Sequence, residues 1–151
     1  MRKVVYVSAL AVLLAVCLAA PAIGQTINGS PIVYPLSASD TTTVTIANGA
    51  SLSGVAAIPP GFRLAGIVMP SAWTSAVVTF AVSASGAAGT YVPLYEGGYE
   101  YTLTEAAASR AINVDALAMY PWRYIQIRSG TSGAAVAQAG ARVITLVLRP
   151  Y

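Results

Sequence analysis

Two carboxylates flank a glycine pair in Glu96-Gly97-Gly98-Tyr99-Glu100, and Glu105 follows closely. If this segment is a hairpin, Glu96 and Glu100 stand on either side of its turn and can meet. Glycoside hydrolysis needs two carboxyl groups across a cleft, roughly 5 to 9.5 Å apart. The plainer reading is two solvated charges at a polar hairpin tip, and it is preferred here. Asp40 and Asp115 are single acids far apart in the chain. A calcium site needs several oxygens, so no metal is expected.

Aromatic residues offer a second kind of chemistry. Tyr91, Tyr95, Tyr99 and Tyr101 sit on or beside the same segment. Tyr99 and Tyr101 share parity, which on a regular strand sends both to one face. Such a ledge can stack on sugar rings or pack on a partner, because tyrosine joins an apolar body to a polar tip. Ordinary cross-strand packing is the competing reading. Trp73 and Trp122 read as core plugs. Arg123 and Arg128 lie near one strand, while Arg142 and Arg149 bracket the last. They suit contact with a neighbouring subunit, where arginine is enriched, or pairing with the few acids. The contact candidates are therefore Tyr95, Tyr99, Tyr101, Arg123 and Arg128. Ser129-Gly130-Thr131-Ser132-Gly133 has the composition of a phosphate loop but lacks the Gly-Lys-Ser/Thr that would follow.

Composition removes other mechanisms. The 151 residues include no histidine and one cysteine, Cys17. Triads built on imidazole, zinc held by His and Cys, and an internal disulfide are all excluded. No cofactor is expected.

The elements that must position these side chains begin after a distinct N-terminus. Arg2 and Lys3 precede an uncharged apolar run from Val4 to Ala20, and Pro21-Ala22-Ile23-Gly24 offers a cleavage site before Gln25. This is the layout of a secretory signal peptide. An uncleaved anchor is the alternative, and residues 1–24 are then the chain's one contact with membrane. Without them, six arginines and five acids remain, so the net charge falls from +3 to +1. Six scattered arginines make no dense basic patch, and nucleic acid is not an expected partner. Residues 25–41, with Asn28-Gly29, Pro31 and Pro35, read as a linker or arm.

From Thr42 onward the chain reads as short strands divided by turn signals. The expected strands are 42–47, 51–58, 63–69, 77–83, 91–95, 99–104, 110–114, 122–128 and 143–148. Gly97-Gly98 joins two of them as a hairpin, and Asp115 caps a short helical turn. No amphipathic helix of about 12 or more residues is expected after residue 24. The pattern predicts an all-β, antiparallel β-sandwich over residues 42–151, jelly-roll-like, with an immunoglobulin-like topology as the alternative.

Four segments carry a resemblance: TIANGASLSG (Thr45–Gly54), GIVMPSAWTSAVVTF (Gly66–Phe80), YVPLYEGGYEYTLT (Tyr91–Thr104) and RYIQIRSGTSGAAVAQAGARVITLVLRP (Arg123–Pro150). About 110 residues so marked resemble a family of small proteins encoded in tailed-phage and prophage genomes. The resemblance implies a virion-associated structural β-sandwich of decoration or accessory capsid type. Members generally begin near the first strand, whereas this chain has 41 residues before the match.

Charged residues are 9% of the chain, against roughly 25% in an average soluble domain. A surface of Ala, Ser, Thr, Gly and Tyr desolvates at low cost and repels its own copies weakly. The expected function is thus a non-enzymatic structural protein of a virion or extracellular assembly. Its partners are copies of itself or other structural proteins. A secreted carbohydrate-binding module, with glycan as its partner, is the alternative. A carboxylate-only glycosidase using Glu96 or Glu100 is the weakest reading.

Overall fold

The computed structural model describes residues 26–27, 30–31 and 40–151. The signal-peptide reading of residues 1–24 lies outside them. The chain divides into two units, Met1–Pro35 and Leu36–Tyr151. In the first, β1 (Thr26–Ile27) pairs antiparallel with β2 (Ser30–Pro31), Ile27 opposite Ser30.

The second unit holds the remaining strands: β3 (Asp40–Ile46), β4 (Ala56–Ala57), β5 (Phe62–Val68), β6 (Val78–Ser83), β7 (Val92–Pro93), β8 (Tyr95–Glu96), β9 (Tyr99–Glu100), β10 (Thr102–Leu103), β11 (Ala111–Asn113), β12 (Tyr124–Ser129) and β13 (Arg142–Pro150). A single turn of helix, α1 (Ala116–Met119), precedes β12. Asp115 caps it as expected, its Oδ1 accepting from the Leu117 N–H at 2.8 Å.

Alternation decides which side of each strand is buried. Val44 and Ile46 turn inward on β3, Ile125 and Ile127 on β12, and Ile144, Leu146 and Leu148 on β13. The intervening Thr43, Thr45, Gln126 and Val143 face out. Each fully buried aliphatic or aromatic side chain contributes roughly 1.5–3 kcal/mol relative to its exposed state. Phe80, fully buried, is the largest of them.

Every pairing is antiparallel, and the pairs are nested. β3 lies beside β13, β4 beside β12, β5 beside β11, and β6 beside both β7 and β10. Two further pairings, β5 with β13 and β6 with β12, divide this folded ribbon into two sheets. One sheet runs β11-β5-β13-β3 and the other β10-β6-β12-β4, with β7 along β6. Their inner faces enclose one core: Leu64, Ile67, Ile144 and Leu146 on the first sheet, Val78, Phe80, Val82 and Ile127 on the second. The unit is an antiparallel β-sandwich.

Two irregularities shape its surface. β7 and β10 form one edge along β6, with Pro93 opposite Ala81 and Thr102 opposite Thr79. Between them the chain leaves the edge as the β8–β9 hairpin and returns. On the other sheet a β-bulge shifts the register, so that Val147 faces Gly66 while Leu148 faces Leu64. Ala65 is the extra residue, and the strand's alternation reverses there.

Candidate contact surface

The tip of the β8–β9 hairpin is a two-residue turn, Gly97 at φ 58° and Gly98 at φ 88°. Two successive left-handed residues match the strands' own twist, and glycine adopts that geometry without a Cβ penalty. Glu96 sits opposite Tyr99, and Tyr95 opposite Glu100. Neighbouring pairs project to opposite faces, so Glu96 and Glu100 diverge. The turn does not gather them into a catalytic pair.

Glu100 has another task. Its Oε1 lies 3.2 Å from Nη1 of Arg128. The same carboxylate accepts from the Ser132 N–H at 2.9 Å and from the Ser132 hydroxyl at 3.0 Å. Arg128 stands on the outer face of β12, opposite Thr79 of β6, so the hairpin is tied back across the sheet. Thr79 is fully buried beneath this strap, its hydroxyl donating to the Gly130 carbonyl at 2.8 Å.

Tyr101 also turns inward. Its ring packs 5.7 Å from that of Phe80, and its hydroxyl accepts from the Asp115 N–H at 2.9 Å. Burial pushes its phenol above the usual tyrosine range; the hydrogen bond from Asp115 pulls the other way, and the Asp115 and Glu96 charges push up. Parity had put Tyr99 and Tyr101 on one face. The alternation holds: Glu100 turns to Arg128 on the outer face, and Tyr101, its N–H donating to the Leu94 carbonyl at 2.8 Å, turns the other way with Tyr99. The two differ in exposure: Tyr99, next to the turn, is 82% exposed, while Tyr101 packs against the core.

Of the five contact candidates, Tyr95 (56% exposed), Tyr99 and Arg123 are free at the surface. Tyr101 and Arg128 work as anchors. The structure brings Glu100, Arg128 and Ser132 together and leaves Arg123 at the far end of β12, its guanidinium 5.9 Å above the Tyr124 ring. Trp73 and Trp122 are partly buried against the core, and Trp73 Nε1 donates to the Ala76 carbonyl at 3.0 Å.

Gln138 has a larger role than its sequence context suggested. It is fully buried. Its amide accepts from the Thr74 N–H (2.8 Å), donates to the Thr74 carbonyl (3.1 Å) and donates to the Ser129 hydroxyl (2.7 Å). Its backbone pairs with Gly49 and Ala50. Three loops at one end of the sandwich meet on this residue. The sequence clue was a single amide inside Ala-Val-Ala-Gln-Ala-Gly-Ala, where nothing else polar can satisfy neighbouring loops.

The outer face of the four-stranded sheet is a second surface. The register aligns Thr43, Thr145, Val68 and Ala111 in one row, and Thr41, Val147, Gly66 and Asn113 in the next. Thr45 and Val143 form a third, shorter row. None of these side chains is ionised. At one end of the face Arg149 stands directly opposite Arg63, whose guanidinium lies 6.0 Å over the Tyr151 ring. Over Gly66 the bulge leaves a notch of about 170 Å³ bounded by Val68, Ala111, Asn113, Val147 and Arg149.

No known family, curated protein or solved structure matches this chain.

Proposed function

We propose that this chain is a non-enzymatic structural protein of a phage virion or extracellular assembly and acts by subunit–subunit packing. The observation that carries the reading is the uncharged stretch of the four-stranded sheet's outer face that ends at Arg63 and Arg149. Three rows of Thr, Val, Ala, Gly and Asn cross it without an ionised group. Such a face loses little hydration energy on contact, whereas charged surfaces resist burial.

The finer fold reading is a jelly roll, in which a long antiparallel ribbon folds so that its first strand pairs with its last. Counting β7 and β10 as one strand, the nested order of eight strands supports this over an immunoglobulin-like arrangement. Jelly rolls recur in capsid and lectin domains, which agrees with assembly and with carbohydrate binding alike. The virion is proposed as the setting because the sequence reading expects a small tailed-phage protein over residues 42–151, and export because the N-terminus is signal-like.

Light scattering after size exclusion, with electron microscopy of the full chain, tests the reading. Regular oligomers are expected. A monomer at every concentration up to the solubility limit would overturn packing between copies.

Glycan binding is the second reading, favoured by the high exposure of Tyr99. It requires glycan-array signal that Tyr99→Ala abolishes.

A further inference from the structure

Arg63 and Arg149 are directly opposite on adjacent central strands, a placement that brings like charges within about 5.5 Å at Cβ and destabilises an empty pair. Neither makes an ion pair among the described residues. The chain has no Asp or Glu before Asp40, so residues 1–39 hold no side-chain carboxylate for them. The Gly66 notch beside Arg149 is far smaller than the roughly 300–1,000 Å³ cleft of a drug-sized ligand or cofactor. Its size suits one side chain. The site is thus a positive corner next to a small recess of mixed polarity.

A matching shape exists on the same molecule. At the hairpin tip Glu96 and Tyr99 are directly opposite, on the face turned away from Arg128 and Ser132. Both are exposed, and the Glu96 carboxylate makes no hydrogen bond or ion pair among the described residues. The tip presents a carboxylate and an aromatic ring side by side on a stiff two-residue turn. The hairpin is strapped to the outer face of one sheet, and the Arg63/Arg149 corner lies on the outer face of the other. One copy cannot fill its own corner.

We propose that the β8–β9 tip of one copy docks on the outer face of the four-stranded sheet of the next. Glu96 pairs with Arg149 beside Arg63, and Tyr99 enters the notch over Gly66. This contact rests on the self-packing reading and names its surfaces. It is head-to-tail, because tip and corner differ, and it therefore propagates into a ring or an open filament.

A charge swap tests it, read by sedimentation of the full chain. Glu96→Arg and Arg149→Glu should each weaken self-association by roughly tenfold or more, since each puts like charges face to face. An equimolar mixture of the two variants should recover association, because each tip then meets an opposite charge on the other variant. Circular dichroism confirms that both fold. If the wild-type chain assembles but neither variant weakens it, the docking is wrong and self-packing stands. If the wild-type chain never assembles, both fail.

Discussion

The carboxylate of Glu100 and the guanidinium of Arg128, 28 residues apart in the chain, meet at 3.2 Å across the outer face of β6. Both side chains are mostly buried, at 11% and 15% exposure. A pair held this way is screened less than a surface ion pair, and removing one partner strands the other. The pair fixes the base of the β8–β9 hairpin while leaving its tip in solvent.

Arg128→Met should therefore cost about 1–3 kcal/mol of stability in urea unfolding. Glu100→Gln should cost a similar amount, because the amide can keep only part of the bonding to Ser132. In both variants amide exchange should accelerate at Tyr95–Tyr99 while the β12 and β13 amides stay protected. Uniform acceleration would show that the strap stabilises the whole sandwich instead.

Gln138→Leu fills the same space but strands the Thr74 N–H and the Ser129 hydroxyl. An unsatisfied buried group costs about 1–3 kcal/mol, so a loss of about 2–4 kcal/mol is expected from chemical denaturation. Crystallography or NMR should show the 70–77 and 130–141 loops disturbed together, since both close on this amide.

Tyr101 sets an alkaline limit. Its folded phenol titrates above the unfolded value of 10.0, chiefly because burial disfavours the phenolate. Neutral Tyr101 thus contributes stability that is fully present below pH 10 and is lost as pH rises through the folded value. In absorbance titration this tyrosine should ionise above the usual tyrosine range. The fall in unfolding free energy above pH 10 should be smaller in Tyr101→Phe.

Two glycines with left-handed backbone should differ sharply. Gly61 (φ 82°) has open space around its missing Cβ, so Gly61→Ala should cost only about 1–2 kcal/mol of backbone strain. At Gly130 (φ 86°) an added Cβ would collide with the Ala134 carbonyl and lie 2.8 Å from the Val136 nitrogen. Gly130→Ala should cost more than about 3 kcal/mol or abolish folding. Thermal melts of the two variants separate the cases.

Strand positions were largely legible because alternation is a local signal. Thr42–Ala47 was expected and Asp40–Ile46 is found; Val143–Leu148 was expected and Arg142–Pro150 is found. The Asp115 cap and the Gly97-Gly98 turn were also readable, since each depends on a few adjacent residues. Parity held from Tyr99 to Leu103, but it did not tell that Tyr99 stands in solvent by the turn while Tyr101 packs on Phe80. A period of two gives the face a side chain takes, not how far along the strand the core reaches.

By itself the sequence determined the all-β antiparallel class, the turns, the scarcity of charge and the lack of imidazole, because these depend on composition and on periods of two residues. Only the tertiary structure decided that Glu100 is an anchor and Glu96 free, that Tyr101 is half-buried and Tyr99 exposed, and that Arg63 faces Arg149. Those outcomes depend on register between strands distant in the chain. A shift of one residue reverses which face every side chain takes, and no local pattern specifies that shift.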